Sequence, residues 1–360
     1  KTIIDDTMKF QSIDEDPNSE NFKFYLHPAI ILKLSLKLFF GRYPKKFNWK
    51  KRLYLSHQIA VLSSIKPKVV LSYKFSYSPF FGVLSNNLKY SEFLGIHWSQ
   101  VHDRRLHDLV KSNAYYYVFG EWDRKRYLSI GLDSKKIIPA GGLLGGYYKK
   151  NISKTENLAK YDFCIISQML ELWYQDKNLK NQEIQTQIKI FDRLMEFFVK
   201  YIKEEMPQAK IIIALRDQEK TNESSITEEE YFDNYLNKFN VKYAYNYPLS
   251  FSTYEAIERS KIVVGKSSTC AFEALSWNKK VLFVQTHKHN NIFPIPDDLI
   301  WKVTSDSFVD FKMNMDKLIK IRQEDYVKSI KSSILKYNYY NPLEPAHIKL
   351  KKHINKLIKE

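Results

Sequence analysis

The chain has 360 residues, enough for two ordinary domains. Its 44% hydrophobic and 15% aromatic content excludes a disordered polymer, and two cysteines without a CxxC pair exclude a zinc ribbon or a thioredoxin-like site. Lys plus Arg number 57 against 40 Asp plus Glu, a net charge of +17 that favours an anionic partner: nucleic acid, an acidic membrane surface, or phosphorylated and carboxylated substrates.

The opening "KTIIDD" reads as a strand. No leader pattern is visible there, and with Lys1 in place of Met the natural start is expected upstream. The apolar run Ala29–Gly41 is broken by Lys33 and Lys37 and is shorter than the ~20 residues of a membrane span, so a core helix is expected. Residues 49–65 show helical spacing through Leu53, Ile59, Val61 and Leu62. Strands are predicted at 68–73, 92–99 and 115–120, the last followed by the helix "EWDRKRYLSIGL". The chain has only ten glycines, and Gly141, Gly142, Gly145 and Gly146 lie together. They do not fit GxGxxG, so they predict a cleft loop ahead of a domain boundary near 155 rather than a dinucleotide fingerprint.

From there the chain alternates. Strands are predicted at 161–167, 210–215, 241–246, 261–265 and 280–284, with helices at 181–206, 228–239, 252–260 and 269–277. Short apolar strands alternating with helices predict βαβ units and a parallel sheet. Cys164 and Cys270 fall in apolar surroundings, as buried thiols of a reducing compartment do. The C-terminal "HIKLKKHINKLIKE" is a basic amphipathic helix. Leu350, Ile354, Leu357 and Ile358 share its apolar face, either docked on the protein or touching an acidic membrane.

The segment "KIVVGKSSTCAFEALSWNKKVLFV" holds the main chemical signal. Ser267, Ser268 and Thr269 sit where a strand ends and a helix opens, the place where doubly wound sheets bind ligands. Unpaired amides and the helix dipole favour an anion there, the hydroxyls add donors, Gly265 permits close approach and Lys266 brings positive charge. The simpler alternative is Ser268 or Thr269 as a plain N-cap. No GxxxxGK[ST] exists in the chain.

The stretch 254–284 resembles the nucleotide-binding segment of GT-B glycosyltransferases. Its serine pair is similar to the motif that grips the CMP phosphate in sialyltransferase-like and Kdo-transferase-like enzymes. "YDFCIISQ" and "YYYVFGEWDRKRYLSIGLDSKKIIPAGG" resemble segments of bacterial surface-polysaccharide transferases, so the likeness covers about residues 90–290. Sialyltransferase-like relatives carry His-Pro after the strand that here runs into Arg216-Asp217. That moves the weight to retaining β-Kdo transferases.

The resemblance implies an α/β fold of the GT-B type, with two facing Rossmann-like domains and a deep interdomain cleft. Residues 1–155 would bind acceptor and 156–335 the sugar nucleotide, while 336–360 would form a basic helix crossing back. It also implies transfer of Kdo from CMP-Kdo to a lipid-linked or oligosaccharide acceptor in O-antigen or capsule synthesis. The alternatives are a UDP- or GDP-sugar transferase, a CDP-polyol phosphotransferase, and a basic nucleic-acid-binding protein. The last lacks any helix-turn-helix, RNP or zinc-finger pattern, so no nucleic-acid partner is expected.

Within this frame Asp217 is the candidate carboxylate that stabilises or traps an oxocarbenium-like centre. Arg216 is placed on the phosphate or the sugar carboxylate. Glu121 is the candidate acid/base for the acceptor hydroxyl, with His97 as a second base and Trp98 as a stacking residue. Gly265, Lys266, Ser267, Ser268, Thr269, Glu273, Ser167 and Gln168 complete the expected nucleotide-binding set, with Glu273 on ribose hydroxyls. "DED" at Asp14–Asp16 is not expected to bind metal, and no cofactor beyond the sugar nucleotide is implied. The protein is expected in the cytoplasm or peripherally at the inner face of the cytoplasmic membrane.

Overall fold

The computed structural model describes residues 49–72, 79–97, 113–153, 159–168, 182–216, 228–247, 250–287 and 299–359. The readings at "KTIIDD", Ala29–Gly41, Asp14–Asp16, Trp98 and Asp217 lie outside them. The chain forms two compact units. The first takes the described residues up to Val118, Trp122–Pro139 and Ile348 onward; the second takes Phe119–Glu121 and Ala140–His347. The chain therefore enters the second unit briefly at Phe119–Glu121, enters it again at Ala140 and returns to the first unit at Ile348.

The first unit has a four-stranded parallel sheet in sequential order: β1 (Val69–Ser72), β2 (Glu92–Ile96), β3 (Tyr115–Val118) and β4 (Ile137–Pro139). Helices α1 (Trp49–Ile65), α2 (Pro79–Asn87) and α3 (Glu121–Ser129, from Trp122 onward in this unit) accompany it. Leu55, Ile59 and Leu62 of α1 meet Phe81, Leu84, Phe93, Tyr116 and Tyr127 in one apolar core. Phe81 stands edge-on to Phe93, ring centres 5.5 Å apart, a geometry that aromatic quadrupoles favour.

The second unit carries α4 (Leu143–Asn151), β5 (Tyr161–Ile166), α5 (Gln182–Glu205), β6 (Lys210–Ala214), α6 (Glu228–Leu236), β7 (Asn240–Ala244), α7 (Ser252–Glu258), β8 (Ser260–Gly265), α8 (Thr269–Ser276), β9 (Lys280–Val284), β10 (Lys302–Val303), α9 (Phe308–Lys320) and α10 (Gln323–Tyr337). Its six strands are parallel in the order β10-β9-β8-β5-β6-β7. Parallel sheets are covered on both faces, which is why "FCII", "IIIA" and "VLFV" are unbroken apolar runs rather than alternating ones. Phe198 of α5 packs edge-on against Phe163 of β5 at 5.3 Å, and Phe272 of α8 lies 4.8 Å from Phe283 of β9. Strand order reverses between β5 and β8. The chain leaves β5 toward β6 and β7, then returns to the other side of β5 for β8, β9 and β10.

The last helix, α11 (Ala346–Lys359), docks on the first unit. His353 Nδ1 is hydrogen-bonded to Tyr117 Oη at 2.6 Å, and Tyr115 meets the same imidazole edge-on. Lys349 Nζ donates to the Pro139 carbonyl at 2.9 Å, and Lys68 Nζ to that of Ile358 at 2.8 Å. Leu350 is buried, Ile354 and Leu357 are half-buried, and Ile358, expected on the same face, is exposed. Among the described residues no helix is long and apolar enough to cross a membrane.

The glycine cluster is not the loop its composition predicts. Gly141 takes φ +84°, Gly142 caps α4, and Gly145 and Gly146 lie inside that helix. The partner of this close approach belongs to the protein itself. A Cβ on Gly142 or Gly145 would overlap the Glu273 carboxyl, and one on Gly141 would overlap the Tyr339 carbonyl. The seam is closed by Asn338, whose Oδ1 accepts from the Gly142 amide at 3.1 Å and whose Nδ2 donates to Ser276 Oγ at 3.0 Å. At the other end of α4, Tyr148 Oη donates to Glu258 Oε2 at 2.9 Å, with Ser153 Oγ and the Lys149 ammonium on the same carboxylate. Gly145→Ala is expected to lower the unfolding free energy by about 1–3 kcal/mol, the usual cost of overpacking a filled site. Urea denaturation measures it, and a value within about 0.5 kcal/mol of the unmutated protein would mean that the seam is not close-packed.

Candidate functional site

In open parallel sheets, ligands bind beyond the carboxyl ends of the strands where strand order reverses, because the flanking connections leave in opposite directions there and open a crevice. Here that place lies between β5 and β8. Ser167 and Gln168 follow β5, Arg216 follows β6 one strand over, and Gly265–Thr269 leads from β8 into α8. The topology therefore gathers Ser167, Gln168, Arg216, Gly265, Lys266, Ser267, Ser268 and Thr269 at one end of three adjacent strands.

Ser268 caps α8 in extended conformation, its hydroxyl accepting from the Cys270 amide at 3.3 Å. The simpler reading of the hydroxyl run is thus correct for Ser268. The Ser267 amide donates to Gln168 Oε1 at 3.1 Å, so a β5 connection and the β8 turn are tied across the reversal. Ser267, Ser268 and Thr269 remain half-exposed. Glu228, at the first position of α6, accepts from the Arg216 amide at 3.0 Å and from the Ser167 hydroxyl. Asn246 Nδ2 donates to the Arg216 carbonyl at 2.9 Å. The backbone of Arg216 is therefore clamped while its side chain is exposed.

Lys266 is the unusual member. Its side chain is only 2% exposed, and its ammonium donates to Gln187 Oε1 on α5. Burial, reinforced by the positive charge of Arg216, brings its pKa down to about 7.

Other expected site residues fall elsewhere. Glu273 is 3% exposed and faces Gly142 and Gly145; Tyr254 Oη donates to its Oε2 at 2.9 Å and the Gly145 amide also bonds it. A carboxyl held in that seam is a packing group, and the expectation of ribose contacts is corrected on that ground. Burial pushes its pKa up to about 7. His97 ends β2 in the first unit, 1% exposed, with Nε2 bonded to Tyr127 Oη. Burial, then the charge of Arg126, lowers its pKa to about 3. It is a core histidine with its ring engaged, which corrects its assignment as a base. Glu121 is exposed at the start of α3 and belongs to the second unit, not the first. Gly265 is not demanded by packing, since a Cβ there would meet Ile166 and Ala271 at ordinary contact distances of 3.7 and 4.0 Å. Among the described residues no group of three or more His, Cys, Asp and Glu is placed to hold a metal ion.

Sequence reasoning missed Glu228, Gln187, Asn246 and Tyr254. Glu228 had a signal, since "EEE" opens a helix directly after a strand connection. Gln187 and Asn246 had none, because their roles depend on which strands become neighbours.

No family model matches the chain, and no curated protein matches it. Solved structures do. The UDP-GlcNAc 2-epimerase of Neisseria meningitidis with UDP-GlcNAc bound is similar over 93% of this chain and 90% of its own, with TM-score 0.52 and 15% identity. The S. aureus MnaA–UDP co-structure is similar over 91% and 87%, with TM-score 0.54 and 15% identity. Likeness at this identity shows the fold: mixed α/β with parallel sheets, of the GT-B-type two-domain Rossmann-like class.

The Glu273 environment sets a pH dependence. The folded protein binds the carboxyl proton more tightly than the unfolded chain, whose ordinary value is 4.5. Its contribution to stability is complete below 4.5 and lost as pH rises through about 7. Glu273→Gln is expected to gain on the unmutated protein by about 2–3 kcal/mol between pH 4.5 and 8, read from unfolding curves at each pH. Parallel curves for the two proteins would reject this account of the buried carboxyl.

Proposed function

We propose that the protein acts on a sugar nucleotide, holding its phosphate at the carboxyl ends of β5, β6 and β8 and transferring the sugar to a saccharide acceptor. The observation that carries this reading is the meeting of Lys266, Arg216 and the Ser267–Ser268 turn at the reversal of strand order. Two cationic side chains and the N-terminus of α8 are complementary to a leaving phosphate, on which negative charge grows as the sugar–oxygen bond breaks. The developing oxocarbenium centre needs a carboxylate, and Asp217, next to Arg216 in sequence, takes that role in this proposal. The Kdo-transferase resemblance of residues 254–284 supports CMP-Kdo as donor. A second reading, a UDP-linked sugar, is supported by the bound UDP-GlcNAc and UDP of the similar structures, and with it epimerisation in place of transfer. The net charge of +17, with Lys351, Lys352, Lys356 and Lys359 exposed on α11, supports an anionic, lipid-linked acceptor at the inner face of the cytoplasmic membrane.

Calorimetric titration with CMP, UDP, GDP and CDP identifies the base, and incubation of CMP-Kdo or UDP-GlcNAc with and without acceptor separates transfer from epimerisation. Transfer releases free nucleotide only with acceptor; epimerisation gives a sugar isomer without it. Ser267→Ala is expected to weaken nucleotide binding by about tenfold, the value of one hydrogen bond to a charged group. Asp217→Ala is expected to abolish turnover with nucleotide affinity changed less than about twofold. Absence of binding by all four nucleotides overturns the proposal.

A further inference from the structure

A groove of about 690 Å³ runs along α9 beside the chain entering β10, the edge strand two places from β8. Trp301, Val309, Met313 and Ile321 supply its apolar lining, and Lys312, Asp316, Lys317 and Lys320 its polar members. Phe311, Met315 and Leu318 form the buried side of α9. Positions 309, 313, 316, 317 and 320 fall on the opposite side by their three- and four-residue spacing.

Two features set this face apart from a solvated helix surface. Val309 is 73% exposed and Met313 45%, and contiguous apolar surface left in water marks a binding surface. The charges are also unevenly spent. Lys312 pairs with Glu205 and with Asp316, and Tyr201 Oη donates to Asp316 Oδ1 at 2.6 Å, so the groove's carboxylate is already neutralised. The negative pole of α9 is met by Lys280, whose ammonium donates to the Ile321 carbonyl at 2.6 Å. Lys317 and Lys320 are exposed, and among the described residues neither has a hydrogen bond or an ion pair.

We propose that this groove binds an anionic lipid, its chain laid over Trp301, Val309 and Met313 and its phosphate held by Lys317 and Lys320. The face is graded as such an amphiphile is: apolar toward the N-terminal end of α9, cationic toward the C-terminal end, with Met313 and Lys317 about 6 Å apart along the axis. Lysine stems extend the apolar surface while their ammonium groups stay in water, where a headgroup lies. A second copy fits less well, because a two-fold contact sets this patch against itself and brings unpaired lysines together. Strand addition is limited by β10, which is two residues long. The net charge of +17 draws the protein to anionic lipid. The inference does not rest on nucleotide binding, since the phosphate turn follows β8 and this groove adjoins α9.

Titration calorimetry of the full chain with acyl-lysophosphatidylglycerols below their micelle thresholds tests it, with glycerol phosphate and the matching lysophosphatidylcholine as comparisons. Affinity is expected to rise about twofold to fourfold per added methylene. Lys317→Gln with Lys320→Gln should cost about fivefold per lysine and bring the anionic lipid to the level of the choline lipid. Met313→Asp should weaken both lipids. A brominated acyl chain should quench tryptophan fluorescence in the unmutated protein and much less in Trp301→Phe.

Affinity independent of chain length, or glycerol phosphate bound as tightly as the lipid, overturns the inference in favour of a bare anion site. Equal binding of the anionic and choline lipids overturns it as well. Lipid binding that survives the groove substitutions but is lost in Lys352→Gln with Lys356→Gln places the lipid on α11 and overturns the groove. A dimer in light scattering that Met313→Asp dissociates assigns the face to a second copy. If Trp301→Phe does not fold, the chain-length series and the lysine variant still decide.

Discussion

The second unit depends on one constraint: a parallel sheet whose strand order reverses between β5 and β8. Each strand of such a sheet needs a crossover, and the crossovers depart in opposite directions on the two sides of the reversal. Backbone that would otherwise cover the strand ends is drawn apart there, and polar groups with no strand partner face the gap. Among the described residues, Lys266, whose ammonium donates to Gln187 of α5, and Gln168, whose oxygen takes the Ser267 amide, tie the two sides together. That amide would otherwise be an unsatisfied donor at the start of a helix. The same gap explains why the strands are most apolar in their last three or four residues and then become polar at once, as in "CIISQ" and "VVGKSS".

Much of this unit was legible because its physics is local. Unbroken β-branched runs such as "KIIIA" and "KIVVG", separated by amphipathic stretches, specify buried parallel strands and their helices without knowledge of partners. The hydroxyl run after β8 was legible as a helix start for the same reason, and Ser268 does cap α8. Elements that lacked a local signal were not found. β4 is three residues ending in Pro139, and β10 is two residues whose pairing with β9 defines them as strand. The amphipathic helix α9 was legible in principle, since Ser307 accepts from the Asp310 amide in an N-cap, but its start is not marked by an adjacent apolar strand.

The candidate site divides along the same line. Ser167, Gln168, Arg216 and Gly265–Thr269 lie at the strand ends where the sequence placed them, because their position follows from the element that precedes them. His97 and Glu273 were misread, because an ionisable side chain next to a strand end or one helical turn past a cap looks the same in sequence whether it points to solvent or to the interior. Tyr127 and Tyr254, the hydroxyls that hold them, lie 30 and 19 residues away along the chain. The glycine cluster was misread for a related reason. Composition shows that backbone comes close to something at Gly142 and Gly145, but only packing shows that the something is Glu273.

Glu273 and Lys266 then act as a pair of opposite sign on the two sides of the α8 N-terminus. The folded state favours the neutral form of each, the carboxyl up to about 7 and the amine from about 7 upward. As pH rises from 4.5 to 7 the unfolded chain has already lost the carboxyl proton while the folded one keeps it, so stability falls over that interval. From 7 to 10.5 the unfolded chain keeps the lysine proton while the folded one has released it, so stability rises again. The segment around α8 is therefore least stable near neutrality, where the two penalties meet. The carboxyl is held there by Tyr254 and by the glycine seam.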